Sequence, residues 1–177
     1  MRPLFGLLFL LTASVALASE GGREYEHAID LCPVMPLVGI WGLQYSYSLT
    51  DKDRLMFGFA YMNIKYDSSG RSHAPTLITG YKRFFWKGLH LEYELMPSYN
   101  WYYEKYERKY YGGPELWNEF RPGCSIDFKL ADVPFYLDLQ YAIGFALYGG
   151  NKPESFKRQV KKEPVFQSSL FFIGWRF

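Results

Sequence analysis

Residues 89–104, L-H-L-E-Y-E-L-M-P-S-Y-N-W-Y-Y-E, decide the fold because apolar and polar side chains alternate along them. One face carries Leu89, Leu91, Tyr93, Leu95, Pro97, Tyr99, Trp101 and Tyr103, and the other carries His90, Glu92, Glu94, Met96, Ser98, Asn100, Tyr102 and Glu104. A period of two residues is typical of a β-strand with two different faces. Strands of soluble sheets usually have about five or six residues, whereas a tilted strand needs about 9–11 to cross a bilayer. The length therefore favours a membrane barrel.

The same alternation continues through much of the chain. In residues 118–129, Glu119, Arg121, Asp127 and Lys129 share one face, where charges are costly unless they are paired or hydrated. The pattern predicts seven strands, at residues 37–49, 54–67, 75–86, 89–105, 116–130, 135–148 and 165–177. Because bacterial barrels have an even number of strands, we expect an eighth at about residues 25–34.

The connections between these strands fall into two classes. Short turns are predicted at residues 50–53, 87–88 and 131–134, and longer polar loops at 68–74, 106–115 and 149–164. Alternating short and long connections are typical of outer-membrane barrels with periplasmic turns and external loops. Pro97 and Pro122 interrupt neighbouring strands, so we expect paired bulges or a local break there.

The N-terminus has the pattern of an export signal. Arg2 supplies a positive charge, residues 4–16 form an apolar run, and Ala16-Leu17-Ala18 offers a small-residue cleavage site. The apolar run is shorter than the ~20 residues of a spanning helix, which disfavours a retained membrane anchor. Residues 1–18 are therefore predicted to be a signal peptide, and residues 19–177 a single barrel domain.

Composition excludes several classes of protein. Aromatic residues make up 20% of the chain, which argues against disorder. The 20 Lys and Arg nearly balance the 18 Asp and Glu, so the basic excess of a nucleic-acid binder is missing. Two cysteines are too few for a disulfide or zinc scaffold. Cys32 and Cys124 fall on two predicted strands that are not neighbours, those at about residues 25–34 and at residues 116–130, and we expect two separate thiols.

The last strand carries the most specific motif. The chain ends on an aromatic residue, and one face of this strand holds Phe171, Ile173, Trp175 and Phe177. This pattern resembles the terminal strand that the outer-membrane insertion machinery recognises in Gram-negative barrels. Aromatic residues also concentrate near strand ends, as expected of two membrane interfaces.

Residues 19–177 resemble, in architecture, the small eight-stranded outer-membrane β-barrel proteins. The resemblance implies an all-β, single up-and-down antiparallel transmembrane barrel in the outer membrane. It also implies that outer-membrane lipid, lipopolysaccharide and the insertion machinery are partners. No cofactor, metal or nucleic acid is expected, and the sequence names no external partner.

The inward face is predicted to hold a network of both charge signs. Its members are Lys82, Glu92, Glu94, Glu119, Arg121, Asp127, Lys129, Asp138 and Arg176, with His90 beside them. An eight-stranded barrel is just wide enough for side chains to fill it. We therefore expect these charges to pair and close the interior.

The histidines of the chain do not suggest a catalytic site. His27, His73 and His90 are predicted to lie apart, and Ser72-His73 is expected to be a solvated loop dipeptide, so no catalytic site is assigned. Lipid A deacylases use a Ser and a His on a late strand, a pattern that this chain lacks after His90.

The last long loop is basic. Its exposed cations Lys157, Arg158, Lys161 and Lys162 suit lipopolysaccharide phosphates, although a solvated loop without a partner is the simpler interpretation. The expected function is a closed barrel with a structural or surface-interaction role. The alternatives are an outer-membrane lipid-modifying enzyme and a soluble lipocalin-like carrier.

Overall fold

A computed structural model describes residues 25–66 and 70–177 as a closed barrel of antiparallel strands. The elements are β1 (His27–Leu31), a 3₁₀ turn (Met35–Val38), β2 (Ile40–Ser48), β3 (Asp53–Tyr66), β4 (Gly70–Trp86), β5 (Leu89–Glu104), β6 (Lys109–Leu130), β7 (Val133–Tyr148), α1 (Glu154–Lys162) and β8 (Phe166–Arg176). Each strand pairs with its neighbours in sequence, and β8 pairs with β1. The predicted all-β fold of eight antiparallel strands in a ring is confirmed. The predicted signal peptide, residues 1–18, lies outside the described residues.

Two of the three predicted long loops are instead largely strand. β4 begins at Gly70, and β6 begins at Lys109, so β5 and β6 are joined by only residues 105–108. The segment at the start of β6 continues the ladder with β5, and the rings of Tyr103 and Tyr110 lie 4.9 Å apart across it. Such aromatic cross-strand pairs stabilise a sheet, which explains why this tyrosine-rich segment extends the strand. Of the three predicted long loops, the last one remains a long connection, residues 149–165, which contain α1.

Of the two alternatives predicted at Pro97 and Pro122, paired bulges do not occur, and a local break in the ladder does. The β4–β5 register is the same at Thr76↔Ser98 and at Thr79↔Leu95, on either side of Pro97. The β6–β7 register is likewise unchanged across Pro122. Proline lacks an N–H donor, so each one interrupts a ladder locally without adding a residue. The register shifts lie elsewhere, between Phe84 and Trp86 and between Leu116 and Trp117.

Inward and outward side chains follow the predicted alternation. Along β5, His90, Glu92, Glu94 and Met96 are buried, while Leu89 and Leu91 are exposed on the outside. Other large apolar side chains exposed on the strands include Leu43, Phe57, Phe59, Leu77, Phe85, Phe120, Tyr141, Ile173 and Trp175. The barrel therefore has a charged interior and an apolar exterior.

Two small clusters of buried apolar side chains also lie inside the barrel. One contains Ala60, Ile78 and Met96, with Trp117 packed against it. The other contains Cys32, Ala142, Leu170 and Phe172.

Cys32 and Cys124 are free thiols, as predicted. In residues 25–66 and 70–177, no helix is long and apolar enough to cross a bilayer.

Candidate functional site

Lys82 is the centre of a buried ionic cluster between three strands. The β4–β5 register places it opposite Glu92, whose Oε2 lies 2.8 Å from the Lys82 Nζ. Asp138 on β7 reaches across the interior, and its Oδ2 lies 2.6 Å from the same Nζ. Lys82, Glu92 and Asp138 are all almost fully buried. Removal of one partner would leave a buried charge without compensation, which is strongly destabilising.

Arg121 on β6 forms a second centre. Its guanidinium lies 3.2 Å from Glu92 Oε1, 2.7 Å from Glu94 Oε2 and 2.6 Å from Glu119 Oε2. Guanidinium has five N–H donors in a planar fork and can serve several carboxylates at once. Because Glu92 contacts both Lys82 and Arg121, the two centres form one continuous network.

Amide side chains complete the network. Gln140 donates Nε2–H to Glu92 and Asp138 at 3.1 Å each, and Gln44 donates to Glu94 at 2.5 Å. These two glutamines were absent from the sequence-predicted network, although Gln140 lies on the same strand face as Asp138. The hydrogen bonds hold the carboxylates in place, as buried polar groups require.

The remaining predicted network residues lie near the turn end of the barrel. Arg176 pairs with Asp127 at 2.7 Å, and its guanidinium stacks over the Tyr136 ring at 4.4 Å. Lys129 differs, because it is exposed near the end of β6 and has no ion-pair partner among the described residues. Lys129 lies on the same strand face as Asp127, as the alternation predicts. However, it lies at the rim of the barrel, where water and not a carboxylate surrounds its ammonium group.

Asp30 is a buried acid that the sequence analysis missed. It accepts a hydrogen bond from the Tyr136 hydroxyl. β1 has only five residues, which is too short for alternation to distinguish an inward acid from a polar loop residue. The sequence signal was therefore weak at this position.

His90 joins the ionic cluster through Asp138, with its Nε2 3.3 Å from Oδ1. Ligand atoms of His90, Glu92 and Asp138 lie within 4.8 Å of one another, a spacing compatible with a metal ion. However, the Lys82 ammonium contacts both carboxylates, so a cation already compensates them. Both carboxylates of this donor set are thus already engaged in salt bridges to a lysine.

The other two histidines lie elsewhere. His27 Nδ1 is 2.6 Å from the Tyr45 hydroxyl, and His73 Nδ1 is 2.9 Å from the Tyr61 hydroxyl. The expectation of a Ser72-His73 loop dipeptide is wrong, because both residues lie on β4. Successive strand residues point to opposite faces, and Ser72 is buried and donates to Asn100. Serine and histidine are thus kept apart.

Comparisons with protein-family profiles, curated proteins and solved structures found no significant match. The interpretation therefore depends on the geometry of the barrel and of its two ends.

A helical cap, formed by α1 and the residues before it, closes the end opposite the turns. Phe156 is buried against Tyr102, with ring centroids 5.1 Å apart, and contacts Tyr66 edge-on at 5.9 Å. Lys152 reaches inward to Glu115, with Nζ 2.6 Å from Oε1. Burial lowers the pKa of Lys152, and the Glu115 carboxylate opposes that change. Phe156 and Lys152 thus fix the cap to the barrel.

The four predicted lipopolysaccharide-contact residues all lie on α1. Lys157, Arg158, Lys161 and Lys162 are exposed, and Lys157 pairs with Glu154 at 2.8 Å. The helix is amphipathic, since its buried Phe156 faces the barrel while the cations face outward. α1 therefore presents a compact basic surface at one end of the barrel.

Proposed function

We propose that residues 19–177 form an outer-membrane β-barrel with a closed, charge-filled interior and a structural or surface-interaction role. The observation that carries the proposal is the distribution of polarity. Lys82, Glu92 and Arg121 are buried in the barrel, while large apolar side chains such as Phe59 and Leu77 are exposed around it. A lipid environment favours this arrangement, since apolar side chains face hydrocarbon and the strands pair in sequence around a ring that β1 and β8 close over part of their length.

The same distribution disfavours a soluble carrier. A lipocalin-like barrel would direct its apolar faces inward to a ligand and its charges toward water. Here the interior is occupied by the Lys82 and Arg121 network instead. Exposed apolar area on this scale normally marks contact with a membrane or with another protein.

Spontaneous insertion into vesicles tests the membrane placement. Urea-unfolded residues 19–177 are diluted into phosphatidylcholine vesicles, and folding is followed by heat-modifiable gel mobility and protease protection. We expect protected, heat-modifiable protein that floats with the vesicles. A folded protein that stays in the aqueous fraction would refute the proposal.

The exposed basic face of α1 supports a surface interaction with lipopolysaccharide. Its four cations lie within three helical turns on a cap that is anchored to the barrel. Lys and Arg are suited to phosphate groups. The attraction is mainly Coulombic at an exposed surface, so it should fall with added salt, because the Debye length is about 8 Å at physiological ionic strength.

A charge-removal variant tests this interaction. Changing Lys157, Arg158, Lys161 and Lys162 to Gln should reduce lipopolysaccharide bound per folded barrel and weaken its salt dependence. The matched control changes Lys105 and Lys109, two exposed lysines beside the 105–108 turn, and should have a smaller effect per charge removed. If the α1 variant keeps the wild-type amount at low and high salt, α1 is only a solvated connection.

A further inference from the structure

The barrel wall is incomplete beside β1. β1 has five residues, and it pairs only with Gln44–Tyr47 of β2 and Ile173–Arg176 of β8. Residues 40–43 of β2 pair with β3, and residues 166–172 of β8 pair with β7, but neither segment has a ladder partner on its other side among the described residues. A gap therefore separates the cap-side halves of β2 and β8. We call it the β2–β8 gap.

The chain leaves the strand ladder after β1, and part of the segment that follows packs inside the barrel. Cys32 follows β1 directly, and it is buried against Leu170 and Phe172. Val34 and Met35 pack against the same cluster. Cys32, Val34 and Met35 thus lie behind the β2–β8 gap, whereas Pro33 and residues 36–38 are exposed, and none of them joins the strand ladder.

A mostly apolar cavity of about 100 Å³ lies behind the gap. Leu43 and Phe166 lie at its mouth, Ile78, Met96 and Leu170 form its walls, and Arg121 contributes to a polar floor. Gly42 lines the cavity and shares the inward parity of the buried Gln44, yet it is exposed. Its exposure indicates that the cavity opens through the gap.

We propose that the β2–β8 gap admits one acyl chain of a neighbouring membrane lipid into this cavity. The inference rests on the proposed membrane placement. The mouth is apolar, with Leu43 52% and Phe166 50% exposed, and both continue the outer apolar surface. An apolar protein cavity of about 150 Å³ holds a benzene molecule, so the volume suits the last few carbons of a chain. The polar floor near Arg121 limits how deep the chain enters.

The unpaired strand edges support the same occupant. Backbone N–H and C=O groups left open toward hydrocarbon are costly, so the edges of β2 and β8 require polar partners. An acyl chain that ends in the cavity and runs along the gap toward α1 places its ester oxygens, which lie at the other end of the chain, near the α1-side N–H groups of these edges. A purely apolar ligand would leave the edges unsatisfied.

The height of the gap fits a lipid of the leaflet on the α1 side. The five residues of β1, at about 3.3 Å each and tilted by about 40°, rise about 13 Å. The apolar band of such barrels is about 25 Å tall. The gap therefore begins near the middle of the band and opens toward α1, which the proposed orientation places outside the cell.

Photo-cross-linking from within the bilayer tests the proposal. The folded protein is reconstituted in vesicles doped with a phosphatidylcholine that carries a diazirine on one acyl chain, irradiated and mapped by mass spectrometry. We expect cross-links to the outward Ile173 and also to the inward Ile78 and Met96, which are buried. Cross-links to Ile173 without any to Ile78 or Met96 would overturn the acyl-chain site while leaving the membrane placement intact. Absence of cross-links at Ile173 would overturn the membrane placement and the site together.

A cavity-filling variant provides the matched comparison. Ala60 lines the cavity and Ala74 does not, although both are buried alanines on inward faces. Ala60→Phe should lower cross-linking at Met96 by at least about tenfold, the loss expected when roughly two methylene groups are no longer buried. Ala74→Phe should leave it unchanged, with heat-modifiable mobility verifying the fold of each variant. Equal cross-linking at Met96 in Ala60→Phe and in the wild type would contradict entry of the acyl chain through this cavity. If Ala60→Phe does not fold, the wild-type cross-links at Ile78 and Met96 alone test the acyl-chain site.

Discussion

Replacement of Arg121 by Gln should cause a large loss of stability. The guanidinium contacts Glu92, Glu94 and Glu119 at 3.2, 2.7 and 2.6 Å, and two of these acids are completely buried. Gln keeps much of the volume but removes the charge, so buried carboxylates lose their main counter-ion. Breaking a buried ion pair by removing one partner costs about 3–5 kcal/mol, and we expect a loss of this size in the free energy of unfolding.

Urea titration of the vesicle-folded protein measures this loss. The folded fraction is followed by heat-modifiable gel mobility, and the midpoint is compared with that of Lys129→Gln, which removes an exposed cation from the same strand. Exposed substitutions usually change stability by no more than about 0.5 kcal/mol. Adding Glu94→Gln to Arg121→Gln should recover part of the loss, because one uncompensated charge is removed. A loss below about 1 kcal/mol for Arg121→Gln would refute the idea that the network holds the interior together.

Three further predictions concern the strand seam, the outer surface and the cap. Deleting Phe177, whose backbone pairs with β1 at the β1–β8 seam, should lower the amount of heat-modifiable protein in the outer membrane, and unchanged assembly would contradict its role as an insertion signal. Leu139→Arg should cost about 2–4 kcal/mol in urea titrations, because the proposed membrane placement sets this half-buried, outward side chain against lipid. Tyr106→Arg in the exposed turn should be neutral, and equal tolerance at the two positions would refute the outward assignment. Phe156→Ala should release α1 from Tyr102 and increase tryptic cleavage within the helix, and an unchanged cleavage rate would show that other contacts hold the cap.

The period of two made the fold predictable from sequence. Along β5 and β7, alternation identified the inward faces that carry Glu92 and Asp138, and the structure brings both acids to one lysine. Alternation specifies which face of the strand a side chain lies on, but not its position along the barrel axis. Lys129 has the correct parity, yet it lies at the rim and is exposed, which only three-dimensional placement reveals.

Strand ends and loop packing were less predictable. Tyr110 and its neighbours appeared polar enough for a loop, but pairing with β5 extends β6 over them. Lys152 belongs to a basic segment in sequence, whereas in the structure it turns inward to Glu115. Both outcomes depend on contacts with another strand, with Tyr103 for Tyr110 and with Glu115 for Lys152, and the local pattern does not specify these contacts.

The proposed location in the outer membrane is tested most directly by fractionation of cells that express the full chain. Inner and outer membranes are separated by density, and the outer-membrane fraction is washed at alkaline pH and then extracted with detergent. The account predicts protein that sediments with the outer membrane, resists the wash, requires detergent for release and changes gel mobility on heating. Release of the folded protein with the periplasmic contents would contradict it.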